Sequence, residues 1–181
     1  AKKRNIRLVM DLVVNHCSDE HIWFRKAVAD PEGPYGQYFY FRKGKNGKPP
    51  CNWRGYFGGS VWSLVPGQTD LYYLHLFHKK QPDLNWENPA LRREIYSMIN
   101  WWLDKGVDGF RMDVLSLLSK EPGLPDLGPV LNGYAVYNAC ANGPRVHEYI
   151  QEMRRKVLSK YDLLTVGECA GVTIDQAKQY A

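Results

Sequence analysis

The sequence predicts an α/β fold built from parallel strand–helix units. Three apolar runs, IRLVMDLVVNH (6–16), VDGFRMDV (107–114) and YDLLTVGE (161–168), read as strands buried on both faces. Amphipathic helices precede the second and third of them. A long stretch rich in Gly, Pro and aromatics separates the first strand from the first helix. Alternation of strands with helices is the signature of a parallel sheet covered by helices.

The elements follow in order. After the first strand, residues 17–88 hold short strand-like pieces, YFYF (38–41), SVWSLV (60–65) and LYYLHLF (71–77), and read as a small β-rich excursion. RKGKNGK (42–48) reads as a solvated hairpin turn. ENPALRREIYSMINWWLDKG then places Leu91, Ile95, Met98, Ile99, Trp102 and Leu103 on one helical face. Asn88 suits the N-cap, Pro89 the first helical position and Gly106 the stop. The second strand follows, then an irregular stretch over 121–143. NGPRVHEYIQEMRRKVLSKY forms the next helix, with Val146, Tyr149, Ile150, Met153 and Val157 inward. The third strand closes the pattern, and TIDQAKQYA reads as an interrupted helix. With the start at Ala1, this leads us to expect a piece of a longer chain.

Composition excludes several classes. At 44% hydrophobic the chain can bury a core and is not disordered in character. No apolar run approaches the length of a membrane span. The net charge of +5 is local, concentrated in stretches such as RKGKNGK, so no nucleic-acid partner is expected. Cys17, Cys51, Cys140 and Cys169 form no CxxC pair; free thiols and a cytoplasmic location are the expectation. His75 and His78 would face opposite sides of a strand, which argues against a shared metal.

The polar residues carry the chemistry. In GFRMDV, Arg111 and Asp113 share one face of a strand whose other face is apolar. Two charges on a buried face are costly unless paired. Asn15 and His16 end the first strand, Asp113 lies near the end of the second, and Glu168 ends the third. Three parallel strands thus deliver polar groups to one edge. A pair of carboxylates with a cation nearby can serve as nucleophile and general acid/base at a glycosidic bond. Arg111 would keep Asp113 ionised, and a less charged surrounding would keep Glu168 protonated.

DLVVNH (11–16), QPDLNW (81–86), GFRMDV (109–114) and TVGE (165–168) resemble four ordered motifs of the α-amylase family of glycoside hydrolases. SDEHIWF and YYLHLFHKKQPDLNW are similar to the oligo-1,6-glucosidase and α-glucosidase branch. The resemblance implies a partial TIM barrel: strand three in 1–16, an inserted small β-rich domain in 17–88, and helix three to the start of helix five in 89–181. It implies that Asp113 is the nucleophile, Glu168 the acid/base and Arg111 the support of the nucleophile. It implies that His16 bonds the sugar and that Asp11 buttresses the site. Asp11 and His16 lie at odd spacing, so the strand must twist or bulge if both serve one site. Phe57, Phe77 and Gln81 would help wall the pocket. Val114, directly after the nucleophile, goes in that branch with acceptance of α-1,6 linkages. Asn15 matches a calcium ligand of some amylases, but no oxygen cluster surrounds it in sequence; no metal and no cofactor are expected. The implied activity is hydrolysis of terminal α-1,6-linked glucose, with α-1,4 links also considered, from short oligosaccharides. Trehalose-phosphate hydrolase, sucrose isomerase and a non-enzymatic transporter heavy-chain-like scaffold are the alternatives. With three of eight barrel strands, the chain alone is expected to be inactive.

Overall fold

The computed structural model describes residues 1–128 and 140–180. The part of the irregular stretch at 129–139 lies outside the described residues. A parallel sheet is formed by β1 (Val9–Leu12), β5 (Gly109–Met112) and β6 (Leu164–Gly167), in the order β1-β5-β6. An antiparallel sheet of β2 (Phe41–Lys43), β3 (Trp62–Leu64) and β4 (Leu71–Leu74) lies between β1 and β5 in sequence, with β4 central. The helices are α1 (Ile22–Ala29), α2 (Pro89–Asp104), α3 (Val146–Lys156) and the short α4 (Ile174–Ala177).

The parallel strands are shorter than the apolar runs that predict them. β1 stops at Leu12, and His16 pairs instead in an isolated antiparallel bridge with Asp83. That break resolves the odd spacing of Asp11 and His16. Val14, Asn15 and His16 are buried in succession, which no regular strand allows against a single-sided core. Gly109 permits the β5–β6 pairing: a Cβ there would lie 2.0 Å from the Leu164 carbonyl oxygen.

Helix α2 forms as its sequence dictates. The Asn88 side chain accepts from the Ala90 N–H, Pro89 opens the first turn, and Gly106, at φ +88°, ends it. Its buried face carries Leu91, Ile95, Ile99 and Leu103. These join Leu12, Phe110 and Met112 of the sheet and Tyr149, Met153 and Val157 of the α3 region in one core. Each buried aliphatic contributes about 1.5–3 kcal/mol. Met98, Trp102 and Ile150, expected inward, pack only at its margin. Arg92 is buried on this face as well, bonded to Glu152 of α3 at 2.6 Å and to the Trp86 carbonyl at 2.6 Å.

The excursion holds α1 as well as its three short strands. His21 caps α1 by accepting from the Trp23 N–H, and Phe24 and Ala27 face the core. One expectation needs correction. The sheet face bearing Arg111 is not buried in this chain. The helices cover the face of Leu12, Phe110 and Met112, while Val9 on β1, Val13 just after it, and Leu164 and Val166 on β6 are exposed. The antiparallel unit leans on the segment after β5 through a second core, in which Trp53, Trp62 and Leu74 meet Val114, Leu117 and Leu124.

Candidate active site

The charged residues converge at the C-terminal edge of the parallel sheet. Asp11 on β1 is paired with Arg111 on β5, and Arg111 with Val166 on β6. Asp113 and Glu168 each follow the last residue of a strand. Their backbones continue the ladder: the Asp113 N–H donates to Leu12 O at 3.0 Å, and the Glu168 N–H to Met112 O at 2.9 Å. Register therefore puts three carboxylates around one guanidinium. Arg111 Nη1 donates to Asp11 Oδ1 at 2.8 Å and to Asp113 Oδ1 at 2.5 Å, while Nη2 donates to Glu168 Oε2 at 2.6 Å. Hydrogen bonds to Asp11 and Asp113 hold the guanidinium more firmly protonated than usual.

This geometry corrects one expectation. Glu168 does not sit in a less charged surrounding than Asp113. Both are held on the two nitrogens of the same fork, because adjacent parallel strands end at the same level. The backbone N–H of Val114 also lies 3.3 Å from Glu168 Oε2. Val114 is in the left-handed region, at φ +38°, ψ +44°, which is strained for a β-branched residue. Its side chain is buried in the second core, so it meets the site through its backbone and through packing.

His16 lies beside this cluster, close enough to Asp113 and Asp83 for both carboxylates to favour its charged form. Burial outweighs them and lowers its pKa. Its ring nitrogens face the amide nitrogens of Asn15 and Gln81, at 3.3 and 3.2 Å. Gln81 is oriented by accepting from the His78 N–H at 3.3 Å. The Phe77 ring centroid is 5.2 Å from that of His16 and 6.0 Å from that of Phe57. Phe57 stands 74% exposed on the loop that Gly58 and Gly59 turn at positive φ. The structure thus brings His16, Phe57, Phe77 and Gln81 into one wall. Tyr56, stacked on Phe77 at 4.7 Å, belongs to it too and was not anticipated.

A buried ion pair underlies this wall. Lys120 Nζ lies 2.8 Å from Asp83 Oδ2, with both side chains essentially inaccessible. The same ammonium donates to Asn15 Oδ1 and to Leu117 O, both at 2.7 Å. Asp83 also accepts from Asn15 Nδ2 at 3.1 Å and from the Leu76 N–H at 2.9 Å. The oxygens near Asn15 already have a cation, the protein's own, so this donor set does not fit a calcium ion. Among the described residues no group of three or more His, Cys, Asp or Glu could hold a metal. The signal for the pair was a lone lysine closing the apolar run LSLLSK, and the aspartate of QPDLNW, neither of which has a partner in sequence.

Other candidates settle as packing. His75 is buried, held between Ser63 Oγ at 2.9 Å and Phe77 O at 3.1 Å. Burial and then Glu168 raise the Cys169 thiol, which keeps it protonated. The four cysteines are free. No helix among the described residues is long and apolar enough to cross a membrane.

The whole chain, residues 1–181, matches the family model described as the α-amylase catalytic domain. It is 58% identical over 176 residues to an oligo-1,6-glucosidase of Parageobacillus thermoglucosidasius, covering 94% of this chain and 31% of that protein. A trehalose-6-phosphate hydrolase of Bacillus subtilis is 46% identical over 181 residues, covering 99% of this chain and 31% of that protein. Among solved structures, isomaltulose synthase from Klebsiella sp. LX3 superposes with a TM-score of 0.93 at 47% identity, over 98% of this chain and 32% of that one. The chain spans about a third of the length of these relatives. Motifs, fold and matches agree on a TIM-barrel-like α/β fold, and the chain belongs to the α-amylase catalytic-domain family.

Proposed function

We propose that the full-length protein carrying this chain is a retaining α-glucosidase that removes terminal α-1,6-linked glucose from short oligosaccharides. The observation that carries the reading is the Arg111 fork, which holds Asp113 and Glu168 side by side at the ends of adjacent strands. Retention needs two carboxyl groups about 5–5.5 Å apart. In the first step Asp113 attacks the anomeric carbon while Glu168 gives its proton to the leaving oxygen. In the second, Glu168 takes a proton from water, which attacks the same carbon and frees Asp113. Arg111 supports the charge on Asp113 whenever the carboxylate is free. Asp11 holds Arg111 from the other side. His16, with a lowered pKa, stays neutral and bonds a sugar hydroxyl. Phe57, Phe77 and Gln81 wall the sugar site, and Val114 sets its shape beside the nucleophile.

On this reading β1, β5 and β6 are barrel strands three, four and five, residues 17–88 are an inserted domain, and the free thiols suit the cytoplasm. The experiment is a substrate panel on the full-length protein, with product configuration read by NMR. Isomaltose cleaved with retention, and loss of turnover in Asp113→Asn, are expected. Isomerisation of sucrose without net hydrolysis, or a strict need for trehalose 6-phosphate, would move the assignment to the relatives with those activities. Their similarity is what supports that second reading.

A further inference from the structure

A cavity of about 530 Å³ lies outside the catalytic cluster, lined by Lys45, Lys48, Arg54, Ser60, Asn52 and Asp126 among others. Residues 41–54 contain five basic side chains and no acidic one, so this stretch alone equals the chain's net charge of +5. Lys45 and Lys48 are partners in an antiparallel bridge, with N–H to O distances of 2.9 and 3.0 Å in the two directions. Asn46 and Gly47 between them have φ of +51° and +71°, a tight two-residue hairpin turn. Directly paired residues project to the same face, and like charges so placed repel. Arg54 and Ser60 are also bridge partners and also share a face. Among the described residues none of Lys45, Lys48 and Arg54 is in a salt bridge. Three cations therefore meet one cavity with no carboxylate bonded to them.

Hydrogen bonds brace part of the lining. Asn52 and Leu127 exchange hydrogen bonds, Asn52 Nδ2 donating to Leu127 O at 2.7 Å and Asn52 Oδ1 accepting from the Leu127 N–H at 2.8 Å. The one acidic residue of the lining, Asp126, is engaged by the Asn52 N–H at 2.9 Å. The Ser60 hydroxyl oxygen accepts from the Trp62 N–H at 3.1 Å, which leaves its proton to donate.

We propose that this cavity binds a phosphoryl anion, held between Lys45 and Lys48 with Arg54 and Ser60 donating from the opposite side. A dianion relieves the Lys45–Lys48 repulsion and accepts several charge-assisted hydrogen bonds at once. The site has a route to the sugar wall, because the Arg54–Ser60 bridge closes the loop that carries Phe57.

The test is isothermal titration of the full-length protein with inorganic phosphate and with glucose 6-phosphate, at fixed ionic strength. Glucose and chloride are the controls. Saturable binding of inorganic phosphate is expected, and Lys45→Gln and Lys48→Gln should each weaken it about tenfold. Both lysines are exposed in a hairpin, so these variants should keep the circular dichroism of the parent. Asp113→Asn should bind phosphate unchanged, which separates this site from the catalytic one. Tighter binding of glucose 6-phosphate would identify a sugar phosphate as the ligand, and equal binding free phosphate. No saturation by phosphate, equal effects of chloride, or binding indifferent to both lysine variants would overturn the proposal.

Discussion

Lys120 is the residue whose removal should cost most for its size. Its Nζ neutralises Asp83, and neither side chain is more than 1% exposed. Lys120→Met keeps an apolar stem of similar length and removes the ammonium, its charge and its donors. Asp83 then remains a buried carboxylate with two hydrogen bonds, from Asn15 and the Leu76 N–H, and no cation. Breaking a buried pair in this way costs about 3–5 kcal/mol. The carbonyl oxygens of Asn15 and Leu117 each lose a donor as well, so the upper part of that range applies. The double variant Asp83→Asn/Lys120→Met removes both charges. The carbonyl oxygen of the introduced asparagine can still accept from the Leu76 N–H, while its amide nitrogen would face that of Asn15, a mismatch of about 1–3 kcal/mol. The double variant should therefore be more stable than Lys120→Met alone. Urea unfolding of the full-length protein, followed by tryptophan fluorescence, measures the difference. If Lys120→Met costs under about 1 kcal/mol, or the double variant is the less stable, the two residues do not act as one electrostatic unit.

Three further outcomes follow from the same geometry. Burial lowers the pKa of His16 and of His75 below the ordinary 6.5, so the unfolded chain binds more protons as pH falls. Their stabilisation is present above pH 6.5 and lost below it; the melting temperature should drop between about pH 7 and 5, less steeply in His75→Gln. Residues 1–181 expressed alone should bind hydrophobic dye and show no turnover of nitrophenyl glucoside, since β1 and β6 are edge strands with Val9, Val13, Leu164 and Val166 exposed; turnover by the purified chain would contradict the unclosed-barrel reading. Val114→Ala should raise the ratio of maltose to isomaltose hydrolysis (kcat/KM for each) by about 10- to 200-fold at most; an unchanged ratio with activity intact would remove Val114 from linkage choice.

What the sequence made legible was local or periodic. Asn88, Pro89 and Gly106 bound α2 as expected, because capping and backbone restriction depend on a few neighbours. The shared face of Arg111 and Asp113 was legible from strand parity alone. Parity failed where a strand ended early: β1 stops at Leu12, and the chain from Val13 to His16 is fixed by Asp83, which lies 67 residues after His16. It failed again at Val114, whose left-handed backbone turns its N–H toward Glu168. The short α1 was hidden because His21 is an uncommon N-cap and only Phe24 and Ala27 are buried on it. The least legible feature was the openness of the face that bears Arg111. Apolar runs suggested strands covered on both sides, yet a sequence shows how apolar a face is and not what lies against it. In this chain α2 and α3 cover one side of the sheet, and Asp11, Arg111 and Glu168 stand 56%, 40% and 46% exposed by their side chains on the other. The Arg111 bonds are therefore weakened by water here. The same three bonds inside a closed barrel would act in a lower dielectric and be far stronger. On the proposed roles, the tuning of Asp113 and Glu168 would depend on what closes over this face as much as on the fork that joins them.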